Sequence, residues 1–134
     1  YILGRFIPIM DDFLVPAPAR YWVGGTICVL AILVFAVWPI RLFRNIEQDP
    51  KPWTTTPALV VTGPYTFTRN PMYVMMLLVC FGFSIILDEA WVFVLTPICG
   101  LTIYLIAIRH EEAYLEQKFG DSYRQYKQKV RRWI

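Results

Sequence analysis

An all-α integral membrane protein, with three transmembrane helices, a long cytoplasmic loop and a C-terminal amphipathic helical segment, is the fold class this sequence predicts. Two observations lead there. Of 134 residues, 57% are hydrophobic and only 17% charged, where soluble domains carry about 25% charged residues. Three stretches, residues 21–40, 71–87 and 90–108, hold no charged side chain at all, and as helices they approach the roughly 30 Å of a bilayer's hydrocarbon. The mean hydropathy of +0.45 excludes intrinsic disorder, which needs low hydrophobicity. A chain this short makes one domain, over residues 1–134.

The first predicted span, 21–40, follows an apolar stretch, 1–10, that is too short to cross. The second, 71–87, begins at Asn70-Pro71, which reads as a helix N-cap followed by proline at the first helical position. The third, 90–108, contains Pro97 and Gly100 as expected sites of a bend. Only Asp88 and Glu89 separate the last two, so a tight antiparallel hairpin is expected. Its small residues, Gly82 and Ser84 on one side and Thr96, Gly100 and Thr102 on the other, permit close helix approach. Cys28, Cys80 and Cys99 lie inside apolar stretches without a C-x-x-C spacing, so they read as packing residues rather than a metal or redox motif.

Basic residues set the expected orientation. Eleven of the thirteen Lys and Arg fall between residues 41 and 70 or after Ile108, which three spans place on one side. That side is expected to be cytoplasmic. The opposite face receives Arg5, Arg20, Asp11, Asp12, Asp88 and Glu89. A net charge of +3 with aromatics in apolar runs argues against nucleic acid as a partner.

The loop of about thirty residues contains Pro50, Pro52, Pro57 and Pro64, turns apolar over 58–61 and then turns at Gly63-Pro64. Long connections of this kind are usually functional. In the tail, Leu115, Phe119, Tyr123, Tyr126, Val130 and Trp133 recur at helical spacing among Lys, Arg and Gln. Gly120 is expected to end one helix and Asp121 to cap the next. Such a basic amphipathic segment suits an anionic leaflet, with docking against the spans as the other reading.

Two clusters carry possible chemistry. One runs from Gly63 through Tyr65, Arg69, Asn70 and Pro71 to Tyr73, and the other is Arg109-His110-Glu111-Glu112 at the end of the third span. A tight hairpin brings Arg69 and Tyr73 near Glu111 and Glu112. Carboxylates suit an ammonium or ribose hydroxyls, a guanidinium suits a carboxylate, and an aromatic face suits a sulfonium or purine. S-adenosylmethionine has all of these groups. The plain alternative is a solvated helix end beside a positive-inside arginine, with Tyr65 and Tyr73 as interfacial aromatics. His110, the only histidine, reads as a polar residue at a water boundary rather than a general base.

These fragments carry a resemblance. Gly63-Pro64-Tyr65, then Arg69-Asn70-Pro71-Met72-Tyr73, a hydrophobic hairpin, Glu111-Glu112-Ala113-Tyr114-Leu115 and Phe119-Gly120-Asp121-Ser122-Tyr123 resemble, in order and over residues 50–134, the isoprenylcysteine carboxyl methyltransferase and phospholipid methyltransferase superfamily. The resemblance implies an all-helical membrane methyltransferase without a Rossmann domain. No G-x-G-x-x-G turn is present. It implies S-adenosylmethionine as cofactor, held by Gly63, Pro64, Tyr65, Arg69, Asn70, Pro71, Tyr73, Glu111 and Glu112, with Arg69 and Glu112 as the catalytic pair and no metal. Asn70 stands where the family more often has His, which keeps hydrogen bonding but removes an acid–base role there. The family generally also has a span ahead of the one starting at Tyr21, of which residues 1–10 would be the tail.

The acceptor implied is lipophilic: a prenylated carboxylate, a phospholipid amine or a small thiol. Membrane lipids and other membrane proteins are the expected partners. The rival expectations are a non-catalytic membrane subunit that retains the fold and, more remotely, a lipid reductase using a nicotinamide cofactor.

Overall fold

The computed structural model describes residues 15–45 and 59–134. Residues 1–10 and the stretch holding Pro50, Pro52 and Pro57 lie outside the described residues. Every regular element among those described is helical.

The first helix runs as α1 (Ala19–Ile32), a π-helical stretch (Leu33–Val37) and α2 (Trp38–Asn45). The wider π turns have a local cause. Pro39 lacks an N–H, and its ring crowds the carbonyl four residues back, at Phe35. That carbonyl sits inside the π stretch, where the wider turn relieves the clash. The helix thereby carries past Pro39 and beyond the predicted end at residue 40.

A 3₁₀ turn (Gly63–Thr66) follows, and then α3 (Pro71–Leu87). Gly63 adopts φ +62°, a left-handed conformation open to glycine. A side chain there would press on the Trp38 indole, so the turn seats directly against α2. The helix α3 ends in a Schellman motif: Glu89 N–H donates to Ser84 O and Asp88 N–H to Ile85 O, with Asp88 left-handed at φ 55°. Chain reversal follows at once into α4 (Ala90–Ile103), giving the expected hairpin. Pro97 does not break α4. The irregularity falls further on, in a π stretch over Tyr104–Ile108, before α5 (Arg109–Phe119) continues the same rod.

Packing departs from expectation at one place. Gly82 faces α1 rather than its hairpin partner: a Cβ there would meet Gly24 O at 2.8 Å and the Cys28 sulfur. The α1–α3 crossing is therefore backbone against backbone at Gly24 and Gly82. Gly100 does face the hairpin, against Leu77. Ser84, Thr96 and Thr102 turn their hydroxyls back to carbonyls of their own helices. At the hairpin end, Arg20 pairs with Asp88 at 3.3 Å and ties α3 to α1.

Two helices, Ala19–Leu42 and Ala90–Phe119, are long and apolar enough to cross a membrane. Their large side chains point outward, with Trp22 77% and Ile106 68% exposed. That is an inverted arrangement for a molecule in water and the normal one for a molecule in lipid. Helix α3 is as apolar but only 17 residues long.

At the far end, Gly120 closes α5 at φ +52° and α6 (Asp121–Lys129) follows. Gly120 itself is the N-cap. Asp121 does not cap, since its carboxylate pairs with Arg124 at 3.2 Å. The aromatic side of α6 turns inward, with Tyr123 and Tyr126 buried.

Candidate functional site

The site is assembled where the α3–α4 hairpin opens. The chain from Gly63 to Tyr73 enters from one side, and Glu111 and Glu112 arrive on the first turn of α5. The helix carries on past His110, leaving Glu112 buried and Glu111 half-buried. A carboxylate pair at a helix C-terminus would oppose the dipole, whereas at the start of α5 the rod simply carries on.

Tyr73 donates to Glu111 Oε1 at 2.9 Å. Burial raises the Glu111 pKa above the usual carboxylate range, and the Tyr73 hydrogen bond pulls it partly back. Tyr65 lies within the field of the same carboxylate; burial first, and Glu111 second, push its phenol up to about 12. Glu112 is buried and holds two arginines. Arg132 forks onto it, Nε to Oε1 at 3.0 Å and Nη2 to Oε2 at 2.9 Å. Arg69 Nη1 stands 3.3 Å from Oε1.

Arg69 is the least satisfied group in the cluster. Its side chain is 9% exposed, yet Nε and Nη1 make no hydrogen bond among the described residues. The Nη1–Glu112 contact is thus an ion pair without hydrogen-bond alignment. Tyr123 lies against Arg69; burial and then the Glu112 charge push its phenol up to about 12, with Arg69 opposing. Buried donors normally have partners. Arg69 Nε is thus a buried donor that no described residue satisfies.

The segment 130–134 straps this arrangement together. Arg131 O accepts from Arg69 N–H at 3.1 Å. Arg132 O accepts from Thr68 Oγ1 at 3.0 Å and from Asn70 Nδ2 at 3.1 Å. Asn70 therefore does occupy the N-cap position of α3, but its side chain does not cap the helix. It turns to the strap, and its own N–H is taken by Thr68 Oγ1. Tyr126 donates to Tyr65 O at 2.7 Å and fixes the other end of the motif.

Of the residues singled out in the sequence, Tyr65, Arg69, Asn70, Tyr73, Glu111 and Glu112 come together. Gly63 and Pro64 shape the turn against α2, and Pro71, buried, starts α3. His110 is exposed, with Nδ1 2.8 Å from Ile106 O on its own helix. Among the described residues no His, Cys, Asp and Glu group could hold a metal. The sequence reading missed Arg132, Thr68 and Tyr123. A signal for Arg132 existed: two adjacent carboxylates brought to one hairpin mouth want more than the one cation that Arg69 supplies.

A protein-family profile described as phospholipid methyltransferase matches residues 19–122. A protein of Haemophilus influenzae with no assigned function is 48% identical over 63 residues, 47% of this chain and the whole of that protein. The protein-S-isoprenylcysteine O-methyltransferase of Schizosaccharomyces pombe is 39% identical over 75 residues, 54% of this chain. That match covers 30% of the yeast enzyme's length. No solved structure matches the chain.

Proposed function

The chain belongs to the phospholipid methyltransferase family, and we propose that it is an S-adenosylmethionine-dependent methyltransferase acting on a lipophilic acceptor at the cytoplasmic membrane face. The observation that carries the reading is Arg69, buried beside two glutamates with two nitrogens that make no hydrogen bond. Those residue types fit the cofactor's amino-acid and ribose groups. Arg69, through its unsatisfied Nε and its charge, would hold the carboxylate. Glu111, oriented by Tyr73, would face the ammonium or the ribose hydroxyls. Tyr65 would cover the nucleoside, and Glu112 would keep the two arginines in place.

When bound, S-adenosylmethionine supplies an activated methyl group on a sulfonium. The protein's own task is then to orient the reactants in line and to exclude water. No strong base is needed for a carboxylate or thiolate acceptor. An amine acceptor must be neutral to attack the methyl group. Asn70 takes no acid–base part, since its amide is committed to the strap.

In this reading α3 is the second of three spans, somewhat short for a bilayer and accommodated by local thinning. The excess of basic residues on the site's side supports a cytoplasmic location for it, and the acceptor (prenylated carboxylate, phospholipid amine or small thiol) enters sideways from the lipid. The test is a comparison of lipid extracts and small thiols incubated with a labelled methyl donor, with and without the purified protein. Label in one lipophilic product supports the reading and identifies the acceptor. A protein that transfers no label and does not bind S-adenosylhomocysteine is instead a non-catalytic membrane subunit.

A further inference from the structure

Arg132 lies beyond the stretch matched by the family profile, which ends at residue 122. Its surroundings differ from those of the other tail cations. Arg124 and Lys127 pair with Glu116 at the surface. Arg132 reaches back to Glu112 and closes both its oxygens in a fork, with its guanidinium 4.7 Å from the Tyr104 ring centre. Its carbonyl is held by Thr68 and Asn70. The backbone therefore places this residue whatever its side chain.

The fork has a consequence for Arg69. Two guanidiniums compete for one carboxylate, and the bidentate geometry goes to Arg132. Arg69 keeps a Coulombic contact through Nη1 at 3.3 Å but no aligned hydrogen bond, and its Nε is left without a hydrogen-bond partner. Without Arg132, a buried carboxylate this close to a buried guanidinium gains by turning onto it and forming the fork there. Arg69 would then be closed to any other anion.

We propose that Arg132 is a positioning residue: by holding Glu112 in its fork, it keeps the Arg69 donors open for the carboxylate of the nucleoside cofactor. This rests on the methyltransferase reading above. Substituting Arg132→Met keeps the carbonyl that Thr68 and Asn70 use and removes the fork together with the guanidinium's contact on the Tyr104 ring. Adding Glu112→Gln removes the charge that would otherwise close on Arg69. A merely structural clasp predicts no recovery in the double variant; a carboxylate kept away from Arg69 predicts recovery.

The experiment titrates S-adenosylhomocysteine, and separately methylthioadenosine, which lacks the amino-acid end, into the detergent-purified full chain. Melting temperatures are recorded for each variant. R132M should weaken S-adenosylhomocysteine binding by roughly tenfold or more, and R132M/E112Q should recover most of it, as expected for residues acting through one another. Methylthioadenosine should bind all three proteins alike. Should R132M fail to fold, Arg132→Lys, which keeps the charge but cannot fork, replaces it in both the single and double variants. Unchanged binding in the single variant, no recovery in the double, or equal loss of both ligands overturns the proposal. A wild-type chain that binds neither ligand rejects the methyltransferase reading itself, and this inference falls with it.

Discussion

Glu112→Ala removes the one carboxylate shared by two guanidiniums, and the cost can be worked from their burial. The Glu112 side chain is 10% exposed, Arg69 9% and Arg132 35%. Removing one member of a buried ion pair costs about 3–5 kcal/mol because the other charge stays behind. Arg132 can turn to water, so its share is discounted. Arg69 cannot, and the low end, about 3 kcal/mol, follows from it alone. For a chain of this size each kcal/mol moves the melting temperature by about 3–5 °C, so a fall of roughly 10 °C is expected. The assay is thermal unfolding in detergent, followed by loss of helical signal, beside Glu116→Ala. Glu116 holds Arg124 and Lys127 at the surface, and its removal should leave melting almost unmoved. A Glu112→Ala protein melting within about 2 °C of wild type, a loss below 1 kcal/mol, would refute the buried triad.

Tyr73→Phe removes the hydrogen bond that lowers the Glu111 pKa, leaving burial to raise it further. A raised carboxyl contributes stability that is fully present below its unfolded pKa and lost as pH rises through the folded one. The variant's loss of stability with rising pH should therefore begin at the same pH, set by the unfolded chain, but run to higher pH and be larger than in wild type, read from melting temperatures across a pH series; an unchanged profile contradicts the Tyr73–Glu111 bond. Gly24→Ala should destabilise the α1–α3 crossing by about 1–3 kcal/mol, because its Cβ meets Gly82 backbone. Gly25→Ala, with nothing within 4 Å, should not, and equal melting of the two would mean the crossing is misplaced. Tyr126→Phe deletes the bond to Tyr65 O and should cost about 1 kcal/mol, measured by the same unfolding assay.

Much of this arrangement was legible in the sequence because two strong signals governed it. Charge-free runs mark the helices, and the two-residue Asp88-Glu89 connection forces the hairpin that brings Arg69 and Tyr73 to Glu111 and Glu112. Three features were hidden. The tail's basic residues look alike in one dimension, and only the fold separates Arg132 on Glu112 from Arg124 and Lys127 on Glu116. Gly82 could serve either neighbouring helix, and the choice of α1 depends on Gly24 lying opposite it. Asn70 carries a strong helix-cap signature, but the strap carbonyl at Arg132 competes for its amide and wins.

The central claim is that Arg69, with Glu111 and Glu112, forms the seat of a sulfonium nucleoside. Calorimetric titration of S-adenosylhomocysteine into the wild-type chain and into Arg69→Met tests it most directly. Saturable binding to wild type and none to a folded Arg69→Met protein is the predicted result. Equal binding by both, or heat of dilution alone from the wild-type chain, would contradict it.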